Sequence, residues 1–376
     1  MNEYDVFFSH LGKKLYKIFG KALKNSVFPG AAVGIGAGRG IKEKYSAVFG
    51  RLSFLPGYEK LTAEVYYDLA SLTKPLVTSL AVLCLIKDKK IALSHTLDDL
   101  LEQEIDIEKQ KITLFHLLNH CSGLPAHRYY HLELIKYPCE ERLIKLISFI
   151  CAEPLIYETG KLSVYSDLGF MLLGRIVEIK SGKKLAEYIK EKIFSPLGLE
   201  NDLFFNNIEK PKKGIYAPTA DCPWRHKIVC GVVHDDNCYA LGGVAGHAGL
   251  FGNIRGVLDL VCFLSACQQE KAGLTSFNND DLRKFLKKQD KVTSSSWALG
   301  FDTPSPGCSS GGKLISPQSV GHLGFSGTSF WIDPVRELVM VLLSNRIHPD
   351  PANEKIKQFR PYFHDTVIDV LDKELK

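Results

Sequence analysis

The sequence has no apolar run long enough to cross a bilayer, no C-x-x-C pair, no internal repeat, no low-complexity segment and no large excess of either charge. Each absence removes a class of protein. The longest apolar run, Leu76 to Ile86, is broken by Thr78 and Ser79 and falls far short of the roughly 20 residues of a spanning helix, so it reads as a buried helix. Forty-seven Lys and Arg against 42 Asp and Glu leave +5, spread along the chain, which argues against a nucleic-acid groove. The basic run at 210–214, KPKKG, reads as a solvated loop. The first residues place acidic side chains before any basic run and have an amphipathic rhythm, unlike a secretory leader. Ten cysteines (84, 121, 139, 151, 222, 230, 238, 262, 267 and 308) without paired spacing read as reduced core thiols. The expected compartment is the cytoplasm; a leader removed ahead of residue 1 would make it the periplasm.

With 376 residues, 45% of them hydrophobic, the chain buries a large core and is not disordered. Residues 2–24 read as an amphipathic helix, and PGAAVGIGAG and KYSAVFGRL as two strands of a hairpin. The glycines at 34, 36, 38 and 40 do not have the G-x-G-x-x-G spacing and precede a strand, so they read as turn chemistry rather than a phosphate loop. From about Leu76 to Ile193 the pattern is helical, and residues 200–237 are irregular. Strand-like text returns as VGHLGF, TSFWIDP and ELVMVLLSN, followed by a helix from about Pro351 to Lys376. Strands at both ends around a helical middle predict one antiparallel sheet assembled from residues 1–75 and 238–376, with residues 76–237 as a mostly helical insertion.

The sharpest chemical signal is Ser71-Leu72-Thr73-Lys74-Pro75, between the strand-like VYYDLA and the apolar helix. Proline is tolerated in a first helical turn, which sets Ser71 at or near a helix N-terminus. Residues three apart share a helix face, so the Lys74 amine can approach the Ser71 hydroxyl. A serine hydroxyl is a poor nucleophile until a base takes its proton, and the helix dipole favours negative charge growing there. Alone, S-x-x-K is also what a surface helix start produces.

Two further motifs follow: Tyr165-Ser166-Asp167 just ahead of the apolar LGFMLLGRIVEI, and His322-Leu323-Gly324 running into Phe325-Ser326-Gly327. In that order the three resemble the active-site motifs of the serine β-lactamase and penicillin-binding-protein superfamily, closest to its class C and esterase-like branch. Leu117 to Leu124, LLNHCSGL, and the glycine-rich Leu241 to Gly252 are similar to segments of related hydrolases, so the resemblance covers roughly residues 25–350. It implies an α+β fold of the β-lactamase/D,D-peptidase type, an antiparallel sheet flanked by helices with an inserted all-helical region. It implies a serine hydrolase in which Ser71 forms an acyl-enzyme and Lys74 and Tyr165 share the proton transfers. The amides of Ser71 and Phe325 would form the oxyanion hole; Asp167, His322 and Gly324 would bind substrate, with no metal or cofactor.

Two departures bear on substrate. Asp167 stands where antibiotic-hydrolysing members carry asparagine; a carboxylate lacks the amide's donor and would hold Lys74 protonated. His322 replaces a lysine and is largely neutral at pH 7, weakening any hold on a substrate carboxylate. An ester or small amide is therefore ranked ahead of a D-alanyl-D-alanine peptide, and that ahead of a β-lactam. The rival from another class is a catalytically silent binding or scaffolding member. Among the other polar residues, His234, Asp235, Asp236, His247, Arg346 and His348 line the cleft, bind a metal or bond buried backbone; without ligand spacing, backbone bonding is expected. His116, His120 and His127 flank the Ser-Gly-Leu turn and are expected to brace it, and Trp297 and Trp331 read as core or cleft wall.

Overall fold

The computed structural model describes residues 3–293, 295–307 and 309–375. Five strands form one antiparallel sheet: β1 (Gly30–Ala37), β2 (Glu43–Gly50), β3 (Val320–Leu323), β4 (Ser329–Asp333) and β5 (Leu338–Ser344). Their order across the sheet is β2-β1-β5-β4-β3, with Val33 opposite Leu342, Met340 opposite Trp331 and His322 opposite Phe330. The two ends of the chain thus meet in the middle of the sheet.

Strand alternation sends Ala31, Val33, Ile35, Leu338, Met340 and Leu342 to one face. There the helices α1 (Glu3–Lys24) and α5 (Ile356–Glu374) cover them with Phe7, Leu11, Phe19, Phe359, Phe363 and Val367. The other face, with Ala32, Val339, Val341 and Leu343, joins the main core beneath α4 (Ile254–Gln268). Of the four alternating glycines, Gly34 and Gly36 lie in β1, where a Cβ would press on Ile254, Leu258 and Cys262 of α4, and Gly38 and Gly40 make the turn. The segment Ala70–Lys87 is apolar enough by length and composition to span a membrane, yet 78% of it is buried inside the protein. It continues as α2 (Leu80–Lys87) against α3 (Asp167–Ser181).

The sequence reading of a single sheet needs correction. Tyr67–Asp68, Leu250–Gly252 and Leu203–Phe205 form a second, three-stranded sheet, and Asp221–Cys222 pairs with Lys227–Ile228. Strands of two or three residues carry too few positions for an alternation to show. The cysteines need a smaller correction. Of those described, all nine are unpaired thiols, but Cys139 and Cys230 are exposed rather than in the core; Cys308 lies outside the described residues.

Phe19 ties α1 to the sheet and to α5, stacking on Phe49 (centroids 4.4 Å apart) and meeting Phe359 and Phe363 edge-on at 5.0 and 5.7 Å. Phe19→Ala is expected to lower unfolding stability by about 3–5 kcal/mol, read from urea denaturation. A loss under about 1 kcal/mol would show that α1 is not part of the cooperative core.

Candidate active site

Ser71 sits in a 3₁₀ turn, Ala70–Leu72, that joins the short strand Tyr67–Asp68 to the helix. Ala70 before it is left-handed (φ 48°), a conformation costing about 1 kcal/mol for a residue with a Cβ. Asp68 supports that bend: its carboxylate accepts the amides of Ala70 (2.8 Å) and His234 (2.7 Å). Burial raises the Asp68 carboxyl to about 6.

Lys74 opens a wider π-helical turn, Lys74–Ser79, and is fully buried. Its Nζ lies 3.0 Å from Ser71 Oγ, 3.1 Å from the His247 carbonyl and 2.7 Å from Asp167 Oδ1. An ammonium has three protons, and three acceptors surround it. Burial works against the charge, but Asp167 and then Tyr165 outweigh it and raise the lysine's affinity for its proton. The same pairing, helped by His127, holds the Asp167 carboxyl well below its ordinary value although burial pulls the other way.

The second motif is anchored by the helix start. Ser166 caps α3, its hydroxyl accepting the Gly169 amide (3.3 Å) and donating to the Pro125 carbonyl (2.6 Å), so Asp167 falls in the first turn, where the dipole favours a carboxylate. The Ser166 amide donates to His120 Nδ1 (3.1 Å), which assigns the His120 proton to Nε2. His120 thus braces the Tyr165 segment, while His116 Nδ1 accepts from Thr113 as part of a helix cap. Tyr165 stacks on Trp297 and its phenol engages both Lys74 and Ser71. Burial raises the phenol's pKa, with Lys74 opposing and Asp167 reinforcing. His127 pairs with Asp167 Oδ2 (3.1 Å), a bond that raises its pKa.

On β3, His322 donates from Nδ1 to the Leu323 carbonyl (2.8 Å), leaving Nε2 buried without a partner. Burial, then Lys74, pushes this ring down to about 3, so it is neutral and presents a lone pair rather than a charge. Gly324 lets the strand approach the Ser71 segment, since a Cβ there would meet the Leu69 carbonyl at 2.7 Å. Ser326 Oγ and Thr328 Oγ1 add bonds to the carbonyls of Asp68 (2.7 Å) and Leu69 (3.1 Å). Two distant parts of the chain are thereby locked side by side.

A cavity of about 390 Å³ opens over Ser71. Ser71, Tyr165, Asp167 and Phe325 line it, as do His127, His234, Asp235, Asp236 and His247; Lys74 lies beneath, and His322 and Gly324 are not in its wall. His247 Nε2 bonds Asp235 Oδ1 (2.9 Å), and His247 outweighs burial to hold that carboxyl down to about 2. Asp236 pairs with Arg225, and His234 stacks on Phe325 with centroids 5.7 Å apart. His348 is as expected: it lies outside this wall, bonding Ser53 (2.6 Å) and the Thr219 carbonyl (2.8 Å) as buried structure. Trp331 is core on β4, whereas Trp297 packs on Tyr165 and His120. The sequence reading missed Asp68 and the role of the glycine-rich segment, whose Gly246 and His247 carbonyls accept Thr78 and Lys74. A backbone acceptor leaves no side-chain signature.

A putative D-alanyl-D-alanine carboxypeptidase of Escherichia coli O157:H7 is 33% identical over 322 residues, 78% of this chain and 72% of that protein. The octameric penicillin-binding protein homologue from Pyrococcus abyssi superposes with TM-score 0.70 at 20% identity, covering 90% of this chain and 74% of its own. EstCE1, a hydrolase with promiscuous acyltransferase activity, gives TM-score 0.73 at 19% identity over 95% and 98% of the two chains. The beta-lactamase family profile matches residues 15–360, and the chain belongs to the beta-lactamase family.

Proposed function

We propose that the protein is a serine hydrolase that opens carboxylic esters or amides without a free carboxylate beside the reacting bond, through an acyl-enzyme on Ser71. The observation that carries this reading is the 3.0 Å approach of the buried Lys74 ammonium to Ser71 Oγ. Because Lys74 donates to that oxygen, the hydroxyl's own proton is directed to its other neighbour, Tyr165. Tyr165, deprotonated and held by the Lys74 charge, takes the proton as Ser71 attacks the carbonyl carbon. The amides of Ser71 and Phe325 receive the oxyanion, and Tyr165 returns the proton to the leaving group. Water then repeats the sequence on the acyl-enzyme and frees Ser71. Asp167 keeps the lysine charged throughout.

The cavity wall supports the choice of substrate. It includes Asp167, Asp235 and Asp236 and, among the described residues, no lysine or arginine, and its His127 is already paired with Asp167. A terminal carboxylate, which a D-alanyl peptide or a β-lactam brings, meets carboxylates there and finds no unpaired lysine or arginine among the described lining residues. The neutral His322 offers no positive charge either.

Ser71→Ala is expected to abolish labelling by a fluorophosphonate probe while its circular dichroism matches the wild type; persistent labelling would move the nucleophile elsewhere. Tyr165→Phe should keep the fold and lose roughly 10²- to 10⁴-fold in kcat. The working form has lost one proton from the Lys74–Tyr165 pair, and both groups are raised, so kcat/KM should climb with pH into the alkaline range. Asp167 raises both, so in Asp167→Asn that climb should move to lower pH by about one unit or more; an unmoved profile would detach Asp167 from the proton transfer. Finally, p-nitrophenyl butyrate should exceed the p-nitrophenyl ester of succinic acid in kcat/KM by about tenfold or more at low salt, and the gap should narrow as salt rises. Equal rates, or faster release of D-alanine from a D-alanyl peptide, would overturn the proposed preference.

A further inference from the structure

The turn Gly324–Thr328, which joins β3 to β4 and carries Phe325, is gripped from the side away from the cavity by an arginine that the reaction scheme does not use. Arg360 on α5 is 6% exposed and donates from Nη2 to the carbonyls of Gly324 (3.0 Å) and Thr328 (2.9 Å). It forms no ion pair with a carboxylate among the described residues, and its Nε is buried without a partner. A second guanidinium, Arg346, donates from Nε to the Phe325 carbonyl (3.0 Å) and lies 4.7 Å from the centre of the Phe325 ring. Burial, with Arg346 second, pushes the Arg360 guanidinium down to about 9, which leaves it charged at neutral pH.

A buried cation whose partners are carbonyls alone is costly, and an uncharged amide could bond the same oxygens without that desolvation. What the charge adds follows from the geometry of a peptide unit. The Gly324 carbonyl and the Phe325 N–H belong to one planar, trans peptide and point in opposite directions. Holding the Gly324 oxygen on the α5 side therefore aims the Phe325 N–H toward the other side, where Phe325 and Ser71 line the cavity. A charge-assisted bond to that oxygen also polarises the N–H at the far end of the same unit. The Gly327 amide, 3.1 Å from the same oxygen, adds a second donor.

We propose that Arg360 is a positioning residue of the oxyanion hole, aiming and polarising the Phe325 N–H from the face of the sheet that substrate never touches. The inference rests on the reading of Ser71 and Phe325 given above. It predicts a cost confined to the stage at which the carbonyl oxygen is negative.

The test compares wild type, Arg360→Met and Arg360→Lys on p-nitrophenyl butyrate and with an arylboronic acid, which takes up the tetrahedral anionic geometry on Ser71. In Arg360→Met, kcat should fall roughly ten- to a hundredfold, less than for loss of a donor itself, with KM within about twofold. The boronic acid should weaken by a similar factor. Arg360→Lys, which keeps the charge but not the forked reach, should recover part of the loss, and guanidinium added to Arg360→Met should restore activity where an equal concentration of a sodium salt does not. Fluorophosphonate labelling of Ser71 in each variant, slowed but complete, would separate this effect from failure of the nucleophile. Absence of labelling on the wild type would remove the Ser71 reading and this inference with it. Unchanged kcat and boronic-acid affinity in folded Arg360→Met, or a loss carried by KM alone, would overturn the inference. Should Arg360→Met fail to fold, Arg360→Lys decides: lowered kcat with a wild-type Tm supports the role, and unchanged kcat refutes it.

Discussion

The arrangement depends on one buried ammonium. Lys74 has no exposed surface, and a charge taken out of water costs several kcal/mol unless its protons are all received. That requirement dictates much of the surrounding structure. Asp167 must sit at a helix start to face it, the glycine-rich segment must fold back so that the His247 carbonyl reaches it, and Ser71 must stand one turn away. The groups that would activate the serine are the same groups that make the lysine tolerable. In that reading catalytic competence and local stability are one set of contacts.

The parts that touch this charge come from segments far apart in the chain, and short side-chain-to-backbone bonds hold them in register. Thr73 and Thr78 bond the 246–250 segment, Ser326 and Thr328 bond the carbonyls of Asp68 and Leu69, and Asn119 holds the carbonyls of Trp297 and Ala298. Hydroxyls and amides that satisfy buried carbonyls are what irregular segments need where no ladder is available. The rigidity of the site therefore comes from these small polar residues as much as from the sheet.

The sequence made visible what obeys a local rule. Spacing of three joined Ser71 to Lys74, strand-like text between turns marked the five strands of the main sheet, and a proline and an apolar run placed Ser71 at a helix start. Three kinds of feature stayed hidden. Contacts to backbone atoms, such as the His247 carbonyl under Lys74, do not depend on side-chain identity. Contacts between distant segments, such as Arg360 with Gly324, have no spacing to betray them. Charge states set by burial also stay hidden: nothing in the sequence shows that burial raises the Asp68 carboxyl to about 6. Of the second sheet only the strand-like VYYDLA was legible, because its partners Leu250–Gly252 and Leu203–Phe205 are too short for a period.

The strand order carries a consequence for how the protein is made. β1 pairs with β5 along its inner edge, and about 300 residues of chain separate them. At roughly 5–20 residues per second a ribosome takes about 15–60 s to cover that distance, during which β1 emerges with an unmatched edge and an apolar face. Such an edge invites pairing with other chains. Translation therefore passes through a long interval in which the nascent polypeptide already holds Ser71 but lacks the strand that seats Phe325 beside it, so the growing chain is exposed to mispairing well before it is a hydrolase.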